Sequence, residues 1–217
     1  MGDHTLPNAL HLPIREVERD WMIPDEARIS RCDVRSAQQA STRDALRATV
    51  MHDMRSALLD LRSHEVRRAM DALHIQLGVT MLSRDSYRTC TALELLKLAG
   101  EREGDSLVSI GAHTVSHPRL ALLDAQEQTE ELHESRLVLE SILGRSVTSA
   151  AYPFGRSIDV NRDTASAARA AGLDVACTLS PAALCGGRTD PMLLPRFAVH
   201  PMDGDELSRW LRYVALG

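Results

Sequence analysis

The sequence predicts an α/β fold preceded by a helical segment, and three patterns support this prediction. From Leu107 onward, short apolar runs alternate with amphipathic stretches of helical period, which is typical of strand–helix units with parallel strands. Earlier in the chain, apolar residues recur every three or four positions within residues 41–77, as they do on one face of a helix. The first 40 residues contain three prolines and show no regular period, so we expect them to be irregular.

The chain before residue 87 is predicted to form an irregular arm followed by two helices. In the arm, the spacing of Ile14, Val17 and Trp21 is that of a short apolar helical face. We predict Ser63 as the N-cap of the second helix and Gly78 as its end. The apolar stripes of the two helices are Leu46, Val50, Met54 and Leu58, and Val66, Met70, Leu73 and Leu77. We therefore assign residues 1–86 to this arm and helical segment and residues 87–217 to a second part.

The second part is predicted to contain four helices and four strands. Most of the helices begin at a capping signature or end at a glycine. Pro195 places the last strand at an edge or rim of its sheet. The predicted helices are 91–100, 124–144, 165–171 and a last one after Asp203, and the predicted strands are 107–112, 147–152, 173–179 and 193–199.

The composition excludes several classes of protein. With 217 residues, 44% of them hydrophobic, the chain is long enough for one domain with a core and an appendage. A formal net charge of −5 gives no electrostatic reason to expect nucleic acid as a partner, and no apolar run approaches the ~18–20 residues of a membrane span. The sequence shows no secretion signal, and its cysteines are widely spread, which favours free thiols and a cytoplasmic location. These cysteines are Cys32, Cys90, Cys177 and Cys185.

Two histidines after the first predicted strand form the leading candidate site. His113 and His117 follow the apolar run 107–110, and Pro118 comes next, which disfavours a continuous helix through both histidines. Neutral imidazoles in a strand-end loop can bind zinc, although a catalytic metal needs a third protein ligand, often a carboxylate. The spacing alone leaves a second interpretation open, in which both are ordinary hydrogen-bonded or solvated loop histidines.

Two separated motifs together resemble those of a known family. Gly111-Ala112-His113-Thr114-Val115-Ser116-His117-Pro118 is followed by an acidic helix and then by Ala151-Tyr152-Pro153-Phe154-Gly155. This combination resembles the polysaccharide deacetylases of the NodB-homology family, over about residues 87–211. The resemblance implies an irregular (β/α) barrel whose active-site loops lie at the carboxyl ends of the strands. Because only about four strands can be counted here, we expect an incomplete barrel.

The resemblance also implies roles for individual residues. His113 and His117 would bind the metal, and the Thr114 hydroxyl would brace the loop between them. The backbone N–H of Phe154 would bind the oxyanion that forms during catalysis. The neighbouring residues of the same motif would contact the substrate, and these are Tyr152, Pro153 and Gly155.

One motif of the family is missing from this sequence. The family's Thr-Phe-Asp-Asp-Gly supplies the general base and the third metal ligand, and no Asp-Asp pair occurs in the chain. We therefore expect a metal-dependent hydrolase that removes N-acetyl groups from polysaccharides or oligosaccharides, crippled or truncated in this chain, with a divalent metal, zinc, bound weakly. A complementing N-terminal segment or an oligomer would be the protein partner. The alternative is a non-catalytic remnant that binds carbohydrate or a protein partner.

Three further features of the sequence are candidates for the site, and these are Asp159, the acidic run 127–134 and His200. Asp159 is the first carboxylate to consider as a replacement for the missing pair, although its position fits a helix-capping role better. The acidic run 127–134 is interpreted as the solvated N-terminal half of a helix, which the helix dipole favours. His200 follows the last predicted strand, where we favour a rim histidine without a catalytic role.

Overall fold

The computed structural model describes residues 6–15, 17–28, 37–78, 88–100, 107–184, 187–199 and 201–216. The chain divides into two units, Met1–Arg88 and Thr89–Gly217. Each unit has its own cluster of buried apolar side chains.

The first unit contains a β-hairpin that the sequence analysis did not predict. Strand β1 (Ala9–Ile14) pairs antiparallel with β2 (Val17–Met22), which places Ile14 opposite Val17. The helical face expected for Ile14, Val17 and Trp21 is therefore wrong. Leu10 and Leu12 are both buried, and this alternation is the period of a strand rather than that of a helix.

Three helices accompany the hairpin in the first unit. They are α1 (Asp25–Arg28), α2 (Ala37–Leu58) and α3 (Ser63–Leu77), so the predicted helical pair is confirmed. Met54 on the α2 stripe is buried in the same cluster as Trp21 of the hairpin, and Leu73 and Leu77 of α3 pack against it. The apolar stripes thus face the hairpin, as their spacing requires.

The ends of α3 agree only partly with the prediction. Its N-cap is Arg62 rather than Ser63, and the Glu65 carboxylate accepts a hydrogen bond from the Arg62 backbone N–H at 2.8 Å. Gly78 ends the helix in the left-handed conformation with φ +59°, which a glycine adopts without steric cost.

The second unit combines four helices with a small parallel sheet. The helices are α4 (Ala92–Ala99), α5 (Ala125–Leu143), α6 (Arg162–Ala170) and α7 (Gly204–Leu216). The sheet pairs β3 (Ser149–Ala151) with β4 (Val175–Cys177). These two strands are parallel, as the alternation of strands and helices predicted.

The other two predicted strands are reduced to single bridges. Ala112 bridges Ala150 and Leu194 bridges Cys177, both in parallel orientation. Leu107 is fully exposed, so the first run is not a buried strand along its length. Pro195 lacks the N–H that a longer ladder would need. The described residues form a mixed α/β arrangement without a closed barrel.

The core of the second unit is rich in alanine. Four alanines of α6 and its C-terminal end are buried in the same cluster as Ala150 and Ala176 of the sheet, and these are Ala165, Ala167, Ala168 and Ala171. A buried polar contact ties α5 to α6, because Thr164 Oγ1 donates to Gln128 Oε1 at 2.5 Å, while Gln128 Nε2 donates to the Leu123 carbonyl at 3.0 Å. Gln128 is therefore buried with both ends of its amide satisfied.

Two remaining expectations concern cysteines and the membrane. Cys90 and Cys177 are free thiols, as predicted, while Cys32 and Cys185 lie outside the described residues. Within the ranges that the structure describes, no helix combines the length and the apolar character that crossing a membrane requires.

Candidate active site

The two candidate motifs leave the sheet next to each other. The backbone N–H of Ala112 donates to the Ser149 carbonyl at 2.8 Å, and the N–H of Ala151 donates to the Ala112 carbonyl at 3.0 Å. The parallel orientation places the ends of both segments on the same side of the sheet. The histidine loop 113–117 and the loop 152–155 therefore begin side by side.

His113 is oriented by the second loop. Its Nδ1 lies 2.6 Å from the Ala151 carbonyl oxygen. Because a carbonyl oxygen only accepts hydrogen bonds, we assign the ring proton to Nδ1, which leaves the Nε2 lone pair available. A histidine that donates its other ring N–H to a backbone carbonyl is a common arrangement for a metal ligand.

His117 lies beside His113, and its surroundings favour the neutral form of its ring. The two ring centroids are 4.9 Å apart, with an interplanar angle of 70°. Burial and the neighbouring His113 lower the pKa of His117, although a backbone hydrogen bond opposes them. The Thr114 hydroxyl accepts a hydrogen bond from the His117 backbone N–H at 3.1 Å, so Thr114 braces the loop as the resemblance implied.

The histidine loop is held from α5 by a glutamate. Glu131 Oε2 accepts hydrogen bonds from the backbone N–H groups of Val115 and Ser116 at 2.8 and 2.9 Å, and Oε1 accepts one from the Ser116 hydroxyl. One turn later, Ser135 Oγ lies 3.4 Å from the His113 backbone nitrogen. The interpretation of 127–134 as a purely solvated run is therefore wrong for Glu131.

The second loop, residues 152–155, begins with two buried side chains. Tyr152 is 1% exposed, and its hydroxyl donates to the Met192 carbonyl at 2.8 Å. Burial raises the pKa of Tyr152 well above its usual range, so the phenol stays protonated. Pro153 is also fully buried. Both buried side chains anchor the start of the loop.

The ring of Phe154 packs against His117. Its ring centroid is 5.0 Å from that of His117, and its backbone is left-handed with φ +58°. Gly155 follows with φ +67°, and its carbonyl accepts a hydrogen bond from Leu179 N–H at 2.7 Å. Among the described residues, no acceptor is found for the Phe154 N–H. Substrate contacts by Tyr152, Pro153 and Gly155 stay a prediction.

Asp159 does not fill the place of the missing aspartates. Its carboxylate is fully buried and binds Arg119 and Arg156. It does not cap a helix either, because Asn161 is the N-cap of α6 and accepts from Thr164 N–H at 3.0 Å. The carboxylate of Asp159 is therefore a structural anion.

The two histidines fit a metal ion as two of its ligands. With Zn–N bonds of about 2.0–2.1 Å, two imidazoles on one tetrahedral ion place their ring centroids about 5 Å apart, close to the distance found here. In the part of the chain that the structure describes, no group of three or more His, Cys, Asp or Glu side chains is arranged to hold a metal. His200 lies outside the described residues. The described residues thus supply two candidate ligands.

Part of the second unit is similar to a known protein family. Residues 97–176 match the family model for polysaccharide deacetylase. The matched segment contains His113, His117 and Phe154.

Individual relatives share only part of their length with this chain. "Putative polysaccharide deacetylase YxkH" of Bacillus subtilis (strain 168) is 32% identical over 76 residues, which cover 35% of this chain and 26% of that protein. The chain thus spans about a quarter of the length of this curated relative. The solved Streptococcus pyogenes deacetylase PplD in complex with acetate gives a TM-score of 0.48 at 23% identity, over 58% of this chain and 52% of its own. BC0361, a polysaccharide deacetylase from Bacillus cereus, gives a TM-score of 0.47 at 20% identity, over 66% of this chain and 47% of its own.

Glu131 is the site residue that the sequence analysis missed. Its neighbour Leu132 lies on the buried face of α5, and Gln128 and Ser135 on the same face are buried as well. Helix spacing therefore places Glu131 at the border of the inward face. That spacing could have separated it from Glu130 and Glu134, which are exposed.

Proposed function

We propose that this chain provides the histidine and oxyanion side of a metal-dependent deacetylase that removes N-acetyl groups from amino-sugar polymers. One observation carries the proposal: the rings of His113, His117 and Phe154 form a continuous group, with centroids 4.9 and 5.0 Å apart. The family match over residues 97–176 supports the same reaction class.

His113 and His117 would hold a divalent metal ion such as zinc. His113 would bind through Nε2, because its Nδ1 donates to Ala151. His117 is kept neutral by burial and by His113, and the neutral imidazole is the form that binds metals. When bound, the metal polarises the carbonyl of the N-acetyl group and lowers the pKa of water.

Phe154 would stabilise the charge that develops on the substrate oxygen. Its backbone is left-handed and its ring lies beside His117, and the backbone hydrogen bond between Gly155 and Leu179 holds the residue that follows it. A fixed donor costs no reorganisation during the reaction, which is why such groups contribute strongly to catalysis. The amide would be hydrolysed to a free amine and acetate.

A general base and a third ligand are still needed for this reaction. No carboxylate in the described ranges joins the histidines in a metal-binding group, and Asp159 is bound to two arginines. General acid–base help contributes about 10²–10⁴-fold to the rate of such reactions. We therefore expect the chain by itself to release little acetate.

The lack of a third ligand among the described residues favours a second candidate function, which is binding without catalysis. A segment with two candidate metal ligands and, among its described residues, no base would retain a loop surface for carbohydrate or for a protein partner. The two candidates differ in one respect that can be measured, because only the first gains activity when a carboxylate pair is supplied.

Metal binding is tested first, by titrating zinc into the purified protein in a calorimeter. We expect weak binding, which His113→Ala and His117→Ala each abolish, since two protein ligands leave most of the coordination sphere to water. His133→Ala is the matched control, because His133 is exposed on α5, and it should bind like the wild type. Tight equimolar zinc that survives His113→Ala would overturn the proposed ligands.

Activity is tested by acetate release from N-acetylglucosamine oligomers. The chain is assayed alone and with a polypeptide that carries the family's Thr-Phe-Asp-Asp-Gly strand. Chelator-sensitive turnover that depends on His113, in either arrangement, supports the deacetylase. Oligosaccharide binding without turnover in both arrangements supports the second candidate instead.

A further inference from the structure

The histidine loop adopts a backbone conformation that its sequence does not favour. Thr114 and His117 have φ angles of +65° and +56°. Residues with a side chain rarely adopt this left-handed region, and a β-branched residue such as threonine does so least readily. Such conformations persist where the surrounding structure holds them. The loop therefore needs an external constraint.

Glu131 supplies this constraint through one carboxylate. Between the two left-handed residues, the consecutive N–H groups of Val115 and Ser116 converge on Oε2 at 2.8 and 2.9 Å, and the Ser116 hydroxyl binds Oε1. Hydrogen bonds to an ionised acceptor are about twice as strong as neutral ones. The carboxylate therefore fixes the middle of the loop.

The neighbouring glutamates have partners at the start of their own helix. Glu127 accepts from the Asp124 backbone N–H, and Glu130 accepts from the Gln126 side chain. Glu131 instead accepts from the histidine loop.

We infer that Glu131 is a positioning residue, which holds loop 113–117 in the conformation that brings the rings of His113 and His117 together. Its two carboxylate oxygens are both engaged by loop donors, so its role is to orient the histidines and not to accept a proton from water. The consequence for metal affinity rests on the proposed function, whereas the loop geometry does not.

The test compares three variants of the full chain. Glu131→Ala removes the acceptor. Glu131→Gln keeps the shape, since its amide oxygen can accept both N–H groups while its amide N–H donates to the Ser116 hydroxyl. Glu130→Ala is the control, with the same chemical change one position away on the same helix. Hydrogen exchange of the Val115 and Ser116 amides is measured by NMR, and zinc affinity by calorimetry.

We expect exchange at Val115 and Ser116 to accelerate roughly tenfold or more in Glu131→Ala, because a hydrogen bond to a charged acceptor is lost. Glu131→Gln should restore most of the protection, and Glu130→Ala should match the wild type. Zinc affinity should fall about 10–100-fold in Glu131→Ala, as for other residues that orient metal ligands. If the alanine variant does not fold, the glutamine variant alone should still show faster exchange confined to these two amides.

Two outcomes separate the inference from the proposed function. Unchanged exchange at both amides in the folded Glu131→Ala protein would overturn the positioning role. Accelerated exchange in a protein whose wild type binds no zinc would support the positioning role and overturn the proposed metal site.

Discussion

Nε of Arg119 lies 2.7 Å from Oδ1 of Asp159, and the Asp159 side chain is fully buried. Arg156 binds the same carboxylate through its backbone N–H at 3.1 Å and through its Nε at 2.8 Å. Arg119 comes two residues after His117, and Arg156 directly follows Gly155. One buried carboxylate thus connects the two loops that carry the candidate site.

The first prediction is that Asp159→Asn strongly destabilises the protein. Removing one partner of a buried ion pair costs about 3–5 kcal/mol, because the remaining charge is left without compensation. The free energy of unfolding is measured by urea denaturation. Asp174→Asn is the control, since Asp174 is exposed and should change stability by less than about 0.5 kcal/mol. A loss below about 1 kcal/mol for Asp159→Asn would show that the pairing contributes little.

The second prediction concerns the pH dependence of this effect. Burial alone would raise the pKa of Asp159, but hydrogen bonds from Arg156 and Arg119 outweigh it and hold the pKa below its ordinary value of 3.8. The unfolded chain therefore takes up the proton first as the pH falls. The stabilisation is complete above about pH 4 and is lost as the pH falls through the pKa of the folded state.

Urea denaturation of the wild type and Asp159→Asn between pH 3 and 7 tests whether the stabilisation by Asp159 decreases as the pH falls. The difference in unfolding free energy between the two proteins should be constant near neutral pH and should shrink below about pH 4. A difference that stays the same down to pH 3, with both proteins still folded, would contradict the assigned pKa direction.

The third prediction compares two glycines with the same backbone conformation. Gly155 and Gly144 have φ angles of +67° and +66°, so alanine at either position carries a similar strain of about 1–2 kcal/mol. A Cβ at Gly155 would lie 2.8 Å from the Leu179 backbone nitrogen, whereas at Gly144 it would meet nothing within 4 Å. Overpacking of this kind adds about 1–3 kcal/mol. Gly155→Ala should therefore melt roughly 2–12 °C below Gly144→Ala in a chain of this size, and equal melting temperatures would exclude the close contact.

Much of the helical structure could be predicted because its signals are local. Asp124 caps α5 by accepting hydrogen bonds from Gln126 and Glu127, and Gly144 ends this helix in the left-handed conformation. These are contacts between residues a few positions apart, which a sequence displays directly. The hairpin was missed because its turn lacks the usual Asn-Gly or Asp-Gly pair. Arg15 adopts φ +57° there instead.

From the sequence, only the site residues that belong to the two motifs could be predicted. His113 and His117 stand four positions apart, so their spacing together with the second motif at 151–155 indicated them as a candidate pair. The contacts that hold the loops join residues distant in sequence, as Glu131 and Ser116 or Asp159 and Arg119 do. Helix spacing places Glu131 at the border of the buried face of α5, but a single sequence does not indicate which loop that side chain contacts. Those partners follow from tertiary packing alone.

The last prediction concerns association of the chain. Ala112 bridges Ala150 on one side, and among the described residues no second bridge is found at Ala112. Leu107 is fully exposed, and Leu93 and Leu98 of α4 are 71% and 49% exposed. A sheet edge beside exposed apolar side chains favours association. We therefore expect the purified chain to be oligomeric or aggregation-prone, which light scattering measures.

Leu107→Lys tests whether this edge is responsible. A lysine at an edge disfavours pairing with another chain, so this variant should scatter less light than the wild type at equal concentration. Leu137→Lys, at an exposed position on α5, should leave the scattering unchanged. A polypeptide that carries the family's early strands should raise the melting temperature of the wild type, because it would cover the same edge. A monomeric wild type with a cooperative, high-temperature melt would contradict the prediction.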